Sequence, residues 1–398
     1  MIARHLEATL RAAAKRSPVV TVTGPRQSGK TTLVRSLFAK RAYVSLENPD
    51  DRDFALEDPR GFLNQFREGV ILDEVQRAPD LLSYIQGIVD DEGRPGQFIL
   101  TGSQNFLLLQ RVSQSLAGRT SVCHLLPFSH AELVGRKPMP LTHVGRKVPR
   151  RPPRPDSLFD VLFTGSYPRI HDKALDPQDW LGNYYQTYIE RDVRSIVNIG
   201  DVDAFGRFVR LCAGRSGQLL NLSSVGADCG VSHATARRWL SVLEASFLVY
   251  LLRPHYRNFS KRLVKSPKLY FIDTGLLCYL LRIRSADELV THSSRGAVFE
   301  TFVLSELVKT YLNRGLEADV HFWRDSAGHE VDLLIDHGGE LIPVEVKSGE
   351  TVARDFFKGL EYWRSLPGQK GCPAALVFGG KASATRRGIA VYSWHDWL

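Results

Sequence analysis

A disulfide framework is missing from this chain. Its five cysteines, Cys123, Cys212, Cys229, Cys278 and Cys372, are odd in number and scattered, and they form no Cys-x-x-Cys pair. That pattern argues against both a disulfide scaffold and a zinc ribbon and fits a reducing cytoplasm. Long apolar runs are missing too. The longest candidates, such as Phe247 to Leu252, have the length of a strand, so no membrane partner is expected. Met1 to Lys15 is basic and amphipathic without a continuous apolar core, and is not read as a secretory signal. Internal repeats and extended low-complexity tracts are not apparent. Acidic residues are the minority, 43 against 52 Lys and Arg, for a net charge of +9. Such a balance permits a nucleic-acid partner without demanding one. What remains is a chain of 398 residues, 43% hydrophobic, long enough for two or three packed domains.

The densest signal is Val19 to Thr32. Val19 to Thr23 is a β-branched run that reads as a buried strand. Gly24-Pro25-Arg26-Gln27-Ser28-Gly29-Lys30-Thr31 then matches G-x-x-x-x-G-K-[ST] in full. Thr31 to Lys40 follows as a short helix with Leu33, Val34 and Leu37 on one side. In this context Gly24 and Gly29 let the backbone wrap tightly. Successive N–H groups through Thr31 and Thr32, with the helix N-terminus, face a polyphosphate. Lys30 would reach the β- and γ-phosphates of ATP, and the Thr31 hydroxyl would ligate Mg²⁺.

Gly69 to Glu74 is an apolar run ending in Asp-Glu, the form of a Walker B strand. Asp73 would hold the Mg²⁺ shell and Glu74 would polarise the attacking water. Gln97 to Asn105 is another apolar strand with a polar end. A γ-phosphate sensor belongs there, and Ser103, Gln104 and Asn105 are equal candidates beside a plain strand-to-helix cap.

Three segments carry a resemblance: Val70 to Leu82, Phe98 to Ser103, and Ser115-Leu-Ala-Gly-Arg119. Together they resemble a prokaryotic AAA+-type ATPase family whose members join the ATPase to a C-terminal domain of unknown function 4143. The resemblance implies a P-loop NTPase core through about residue 135 and an oligomer. It also puts Arg119 at a position that serves as arginine finger or sensor, in cis or in trans. An arginine bonding the sheet or a carboxylate is the other reading of Arg119. Thr164-Gly-Ser-Tyr-Pro168 is similar to a Gly-Gly-Tyr-Pro segment of the same family, and Tyr188-Ile-Glu190-Arg191-Asp192-Val to the opening of the 4143 module.

Residues 136–155 are rich in proline and basic residues and read as a solvated linker. Leu219 to Glu244 reads as helix-turn-helix, with Ser223 and Ser232 as caps and Gly230 at the turn. His233, Thr235, Arg237 and Arg238 fall on or near its exposed face. Phe247 to Arg253 and Lys268 to Ile272 would form a wing, and Lys261 and Arg262 belong to a basic cluster between them. These residues are the DNA-contact candidates.

Further on, Asp332, twelve residues, then Glu345-x-Lys347 resembles the D…E-x-K pattern of restriction-endonuclease-like folds, and Glu300 matches the acid on a preceding helix. Strand period two puts Glu345 and Lys347 on one face of a hairpin turned at Gly338-Gly339. Asp332 and Glu345, with Glu300, would share a second Mg²⁺ or Mn²⁺, and Lys347 would position the water.

The expectation is therefore an α/β chain in several parts: a P-loop NTPase core of AAA+ type (1–135), a basic linker (136–155), a helical connector (156–200), a winged helix-turn-helix (201–275) and a restriction-endonuclease-like α/β domain (276–398). Its expected partners are ATP, DNA and further copies of itself. The alternative is a nucleotide-regulated switch or scaffold whose winged helix binds protein and whose last domain is inert.

Overall fold

The structure is a computed structural model that describes residues 2–103, 115–149, 156–188, 201–255 and 266–398. Its first layer is a five-stranded sheet. The strands are β1 (Val19–Gly24), β2 (Ala42–Ser45), β3 (Val70–Asp73), β4 (Phe98–Ser103) and β5 (Thr120–His124), in the order β2-β3-β4-β1-β5. Every pairing is parallel. Such sheets need helices on both faces, and the period-two rule divides the side chains between them. Val19, Val70, Leu72, Phe98 and Leu100 face a cluster with Phe62, Leu63, Leu82 and Ile85. Val20, Val22, Ile71 and Ile99 face the opposite way, onto Leu6, Leu10, Leu33, Val34 and Leu37. The phosphate-binding segment leaves the carboxyl end of β1, which β4 and β5 flank.

A second sheet has eight strands. They are β6 (Val249–Pro254), β7 (Lys268–Phe271), β8 (Val320–Arg324), β9 (Glu330–His337), β10 (Glu340–Lys347), β11 (Ala375–Phe378), β12 (Ala384–Arg386) and β13 (Ile389–Ser393), in the order β12-β13-β11-β10-β9-β8-β6-β7. The pair expected as a wing, β6 and β7, is antiparallel, but it does not stand apart. β6 also pairs in parallel with β8, Arg253 opposite His321. One hydrophobic core then runs from Phe205 and Trp239 through Phe271 and Phe299 to Leu333, Val344 and Tyr392. The packing crosses the boundary expected at 275/276.

The helix Arg295–Leu312, which carries Glu300, is buried along most of its length from Val298 to Tyr311, Glu306 and Lys309 included. The residues expected as a solvated linker are a second difference. Met139 and Val144 are buried, the Met139 N–H donates to the Leu398 carbonyl at 2.9 Å, and the Gly145 N–H donates to the Tyr392 hydroxyl at 3.0 Å. Apolar side chains between the prolines give that segment something to bury. Asn221, not Ser223, caps the helix Leu222–Cys229, because its side chain accepts from the Ser224 N–H. Ser232 does cap the helix His233–Ala245. The predicted sensor positions Gln104 and Asn105, the DNA-contact candidates Lys261 and Arg262, and the charged run Glu190, Arg191 and Asp192 lie outside the described residues.

Candidate functional site

The phosphate loop begins at Gly24, whose φ is +148°. A Cβ there would fall 2.1 Å from the Leu125 carbonyl oxygen, so only glycine fits. Gln27 and Gly29 are also left-handed, at φ 61° and 90°, and the loop runs into the helix Lys30–Leu37. Pro25, Arg26 and Ser28 complete the turn, and Thr32 follows on the first turn of the helix. Lys30 is 6% exposed, and its Nζ donates to the Gly24 and Pro25 carbonyls, each at 2.9 Å. The ammonium thus rests against the loop that would carry the phosphates.

Asp73 ends β3, and three hydroxyls hold it. Thr31 Oγ1 donates to Oδ2 at 2.9 Å, the Tyr43 hydroxyl donates to the same oxygen at 2.8 Å, and Thr101 donates to Oδ1. Burial, and then the bond to Asp73, push the Tyr43 hydroxyl up to about 12. The sequence reading paired Thr31 with Asp73 but missed Tyr43 and Thr101. A signal for Thr101 existed, since it is a polar residue inside the apolar run of β4. Ser103 lies at the carboxyl end of that strand.

Glu74 follows with φ at 55°, a left-handed backbone in a non-glycine residue, which turns its side chain away from the strand path. The Gln76 side-chain amide donates to Glu74 Oε2. Both Glu74 and Lys30 line a cleft of about 1090 Å³. Its far wall comes from the helices Pro168–Lys173 and Pro177–Tyr188, with Arg169, Lys173, Trp180, Asn183 and Tyr184 turned to it. The sequence reading gave none of these a role at the phosphate loop. Arg4 was missed as well. Its guanidinium donates to the Ser28 carbonyl at 2.8 Å, the Leu126 carbonyl at 2.6 Å and Glu132 Oε1 at 3.1 Å, and lies 4.6 Å from the Phe128 ring centre.

Arg119 is a correction for action within one chain. It precedes β5 at the edge where Thr120 pairs with Val19, five residues from Gly24, or roughly 17 Å along the strand. Both oxygens of Asp90 accept from its guanidinium, one of them at 2.9 Å. A group at the amino edge of a parallel sheet cannot serve phosphates at the carboxyl edge of the same sheet.

The second cluster lies on β9, β10 and the helix Arg295–Leu312. The β9–β10 register sets Val344 opposite Leu333, and the next residues on the two strands are Glu345 and Asp332. Lys347 Nζ donates to Glu345 Oε1 at 2.5 Å and lies 3.6 Å from Asp332 Oδ2, which also accepts the Val346 N–H at 2.9 Å. Glu345 Oε2 is buried without a hydrogen-bond partner. Burial first, then the Asp332 charge, raise the Glu345 carboxyl to about 8. Glu300 rises to about 7 for the same two reasons. The Tyr270 hydroxyl donates to Glu300, while Lys268, missed by sequence, pairs with both Glu300 and Glu330. Glu300, Asp332 and Glu345 lie close enough for their charges to act on one another. Among the described residues no group of three or more His, Cys, Asp or Glu is placed to hold a metal ion. Lys268 and Lys347 supply the positive charge instead.

On the helix His233–Ala245, Ala236, Trp239 and Leu240 are buried, and His233, Arg237 and Arg238 are exposed, with Thr235 half-buried between them.

Residues 16–134 match the family described as AAA domain, residues 155–287 a domain of unknown function (DUF8612), and residues 295–397 a domain of unknown function (DUF4143). An uncharacterised protein of Mycobacterium tuberculosis is 32% identical over 351 residues, 87% of this chain and 74% of the relative, and one of Mycobacterium bovis matches to the same extent. Among solved structures, a Walker-type ATPase of Pyrococcus abyssi aligns with a TM-score of 0.43 at 15% identity, over 71% of this chain and 96% of that one. AMPPCP-bound DnaA from Aquifex aeolicus aligns at 0.29 and 15%, over 60% and 85%.

Proposed function

The chain belongs to the prokaryotic AAA-type ATPase family that these mycobacterial proteins share, and from that premise we propose an ATP-hydrolysing machine that acts on DNA. The observation that carries the nucleotide chemistry is the Thr31–Asp73 contact of 2.9 Å beside the loop cleft. The phosphates sit on the N–H groups from Gly24 to Thr32 and the start of the helix Lys30–Leu37. Lys30 exchanges the Gly24 and Pro25 carbonyls for the β- and γ-phosphates. Mg²⁺ fits Thr31 and Asp73, two hard oxygen donors already side by side, and when bound it would neutralise charge developing on the phosphates. Glu74, steadied by Gln76, orients and deprotonates the attacking water. Arg119 of one copy faces the phosphates of the next, which ties hydrolysis to assembly.

The DNA part rests on the exposed Arg237 and Arg238 of a capped second helix in a helix-turn-helix. The test is ATP turnover with and without duplex DNA, on the wild type and on Arg237→Glu, Arg238→Glu. Stimulation by DNA in the wild type alone supports the reading. Turnover indifferent to DNA in both moves the chain to the switch or scaffold class.

One observation favours a second reading for the C-terminal cluster. A buried carboxylate oxygen without a partner is costly, and Glu345 Oε2 is one. Metal-dependent phosphodiester cleavage by Asp332, Glu345 and Lys347 would give it a role. Plasmid nicking in Mn²⁺ that disappears in Asp332→Ala is its signature.

A further inference from the structure

We propose that the base of the bound nucleotide stacks on the indole of Trp180, a proposal that rests on nucleotide binding at the phosphate loop. The loop's N–H groups take the phosphate end and leave the flat, apolar-faced end of the ligand to another wall of the same cleft. Among the described residues three aromatics line that cleft: Phe128, Trp180 and Tyr184. Phe128 is buried and already carries the Arg4 guanidinium on its face. Tyr184 is buried beneath Trp180, the two rings stacked at 5.3 Å with 14° between their planes. Tyr167 packs against both rings, its centre 4.7 Å from that of Tyr184 and 5.2 Å from that of Trp180, and the Tyr167 and Tyr184 hydroxyls are hydrogen-bonded at 3.0 Å. Of these three rings Trp180 alone is not buried, and it lines the cleft, so it has surface to offer a base. A preordered aromatic plate loses little side-chain freedom when a base lands on it, which is the condition for a useful stack. The helix Pro177–Tyr188 would then move with the ligand's base, while the loop holds its phosphates.

Calorimetry with MgATP and with magnesium tripolyphosphate, on the full chain, separates the base from the phosphates. Trp180→Ala is expected to weaken MgATP by about tenfold or more while leaving tripolyphosphate within about twofold. Trp180→Phe, which keeps a ring at the position, is expected to bind MgATP within about threefold of the wild type. The wild type is expected to show a change in tryptophan emission on adding MgATP, which Trp180→Phe should lose because the probe ring is gone from the site. Unchanged MgATP affinity in Trp180→Ala overturns the proposal. So does an equal loss for both ligands, or an emission change that persists in Trp180→Phe. A wild type that binds neither ligand overturns the nucleotide reading itself, and the stack with it.

Discussion

Asp73 and Glu345 are both buried carboxylates near the carboxyl ends of strands, and the chain keeps them in opposite ways. Neutral hydroxyls from Thr31, Tyr43 and Thr101 hold Asp73. Its charge is solvated but not cancelled, and an arriving cation meets a site with little to displace. Glu345 has Lys347 at 2.5 Å, and its neighbours Glu300 and Glu330 share Lys268. There the cations are already part of the protein, so an external metal must compete with two ammonium groups. The first site is arranged to receive charge, and the second is arranged to balance its own.

The largest test of this contrast is Lys30→Ala. It removes the cation that would serve the phosphates, and ATP turnover should fall by about a hundredfold to a thousandfold. A variant that keeps half the wild-type rate breaks the comparison at its first term. Glu74→Gln comes next. It should slow hydrolysis by about a hundredfold while nucleotide affinity stays within a few-fold, since only the water-activating carboxylate is lost. Equal hydrolysis in the two proteins would remove Glu74 from the chemistry.

The C-terminal cluster should answer more weakly. In an Asp73→Asn background, which silences the first site, millimolar Mn²⁺ should raise the melting temperature by roughly a degree or two. Asp332→Ala should abolish that rise. An undiminished rise in the double variant would place the metal elsewhere.

The smallest effect is the pH response of the same acids. Glu345 and Glu300 titrate near 8 and near 7 when folded, both above the ordinary carboxyl value. Between about pH 4.5 and pH 8 the folded chain therefore holds protons that the unfolded chain has released. Stability from these groups is full at low pH and declines as pH rises through that window. Glu345→Gln should flatten the decline between pH 5.5 and 8.5 in urea unfolding. An unchanged slope would mean that the pair with Lys347 keeps Glu345 ionised throughout.

The two regions also differed in how far the sequence disclosed them. The phosphate loop is contiguous, and its backbone geometry is written in glycine positions, so strand, loop and helix could be read within fourteen residues. Asp73 was legible because an apolar strand ends in it. Tyr43 and Thr101 reach Asp73, and Arg4 and the wall around Trp180 reach the cleft, from distant segments, where no local period marks them. The hairpin of β9 and β10 was legible from alternation and its glycine pair. Lys268 was not, because its role arises only when β7 joins the eight-stranded sheet through β6 and β8. The linker failed for a related reason: proline density forecasts the absence of helix, not the absence of burial.

The buried Lys309 ammonium has a temporal consequence. It donates to the Phe128 carbonyl at 2.9 Å, to Ser166 Oγ at 3.1 Å and to Glu306 Oε1 at 3.0 Å, while Glu306 accepts the His130 N–H at 2.8 Å. Phe128 and Lys309 are 181 residues apart. At about 5–20 residues per second of synthesis, the ribosome needs about 10–35 s to make the partner that the earlier segment waits for. During that interval the turn at His130 and the segment around Ser166 have been made, but their anchoring ion pair has not. A nascent chain held in that window is a natural client for a chaperone. Slower translation between residues 166 and 309 should lengthen its exposure to protease more than slower translation elsewhere.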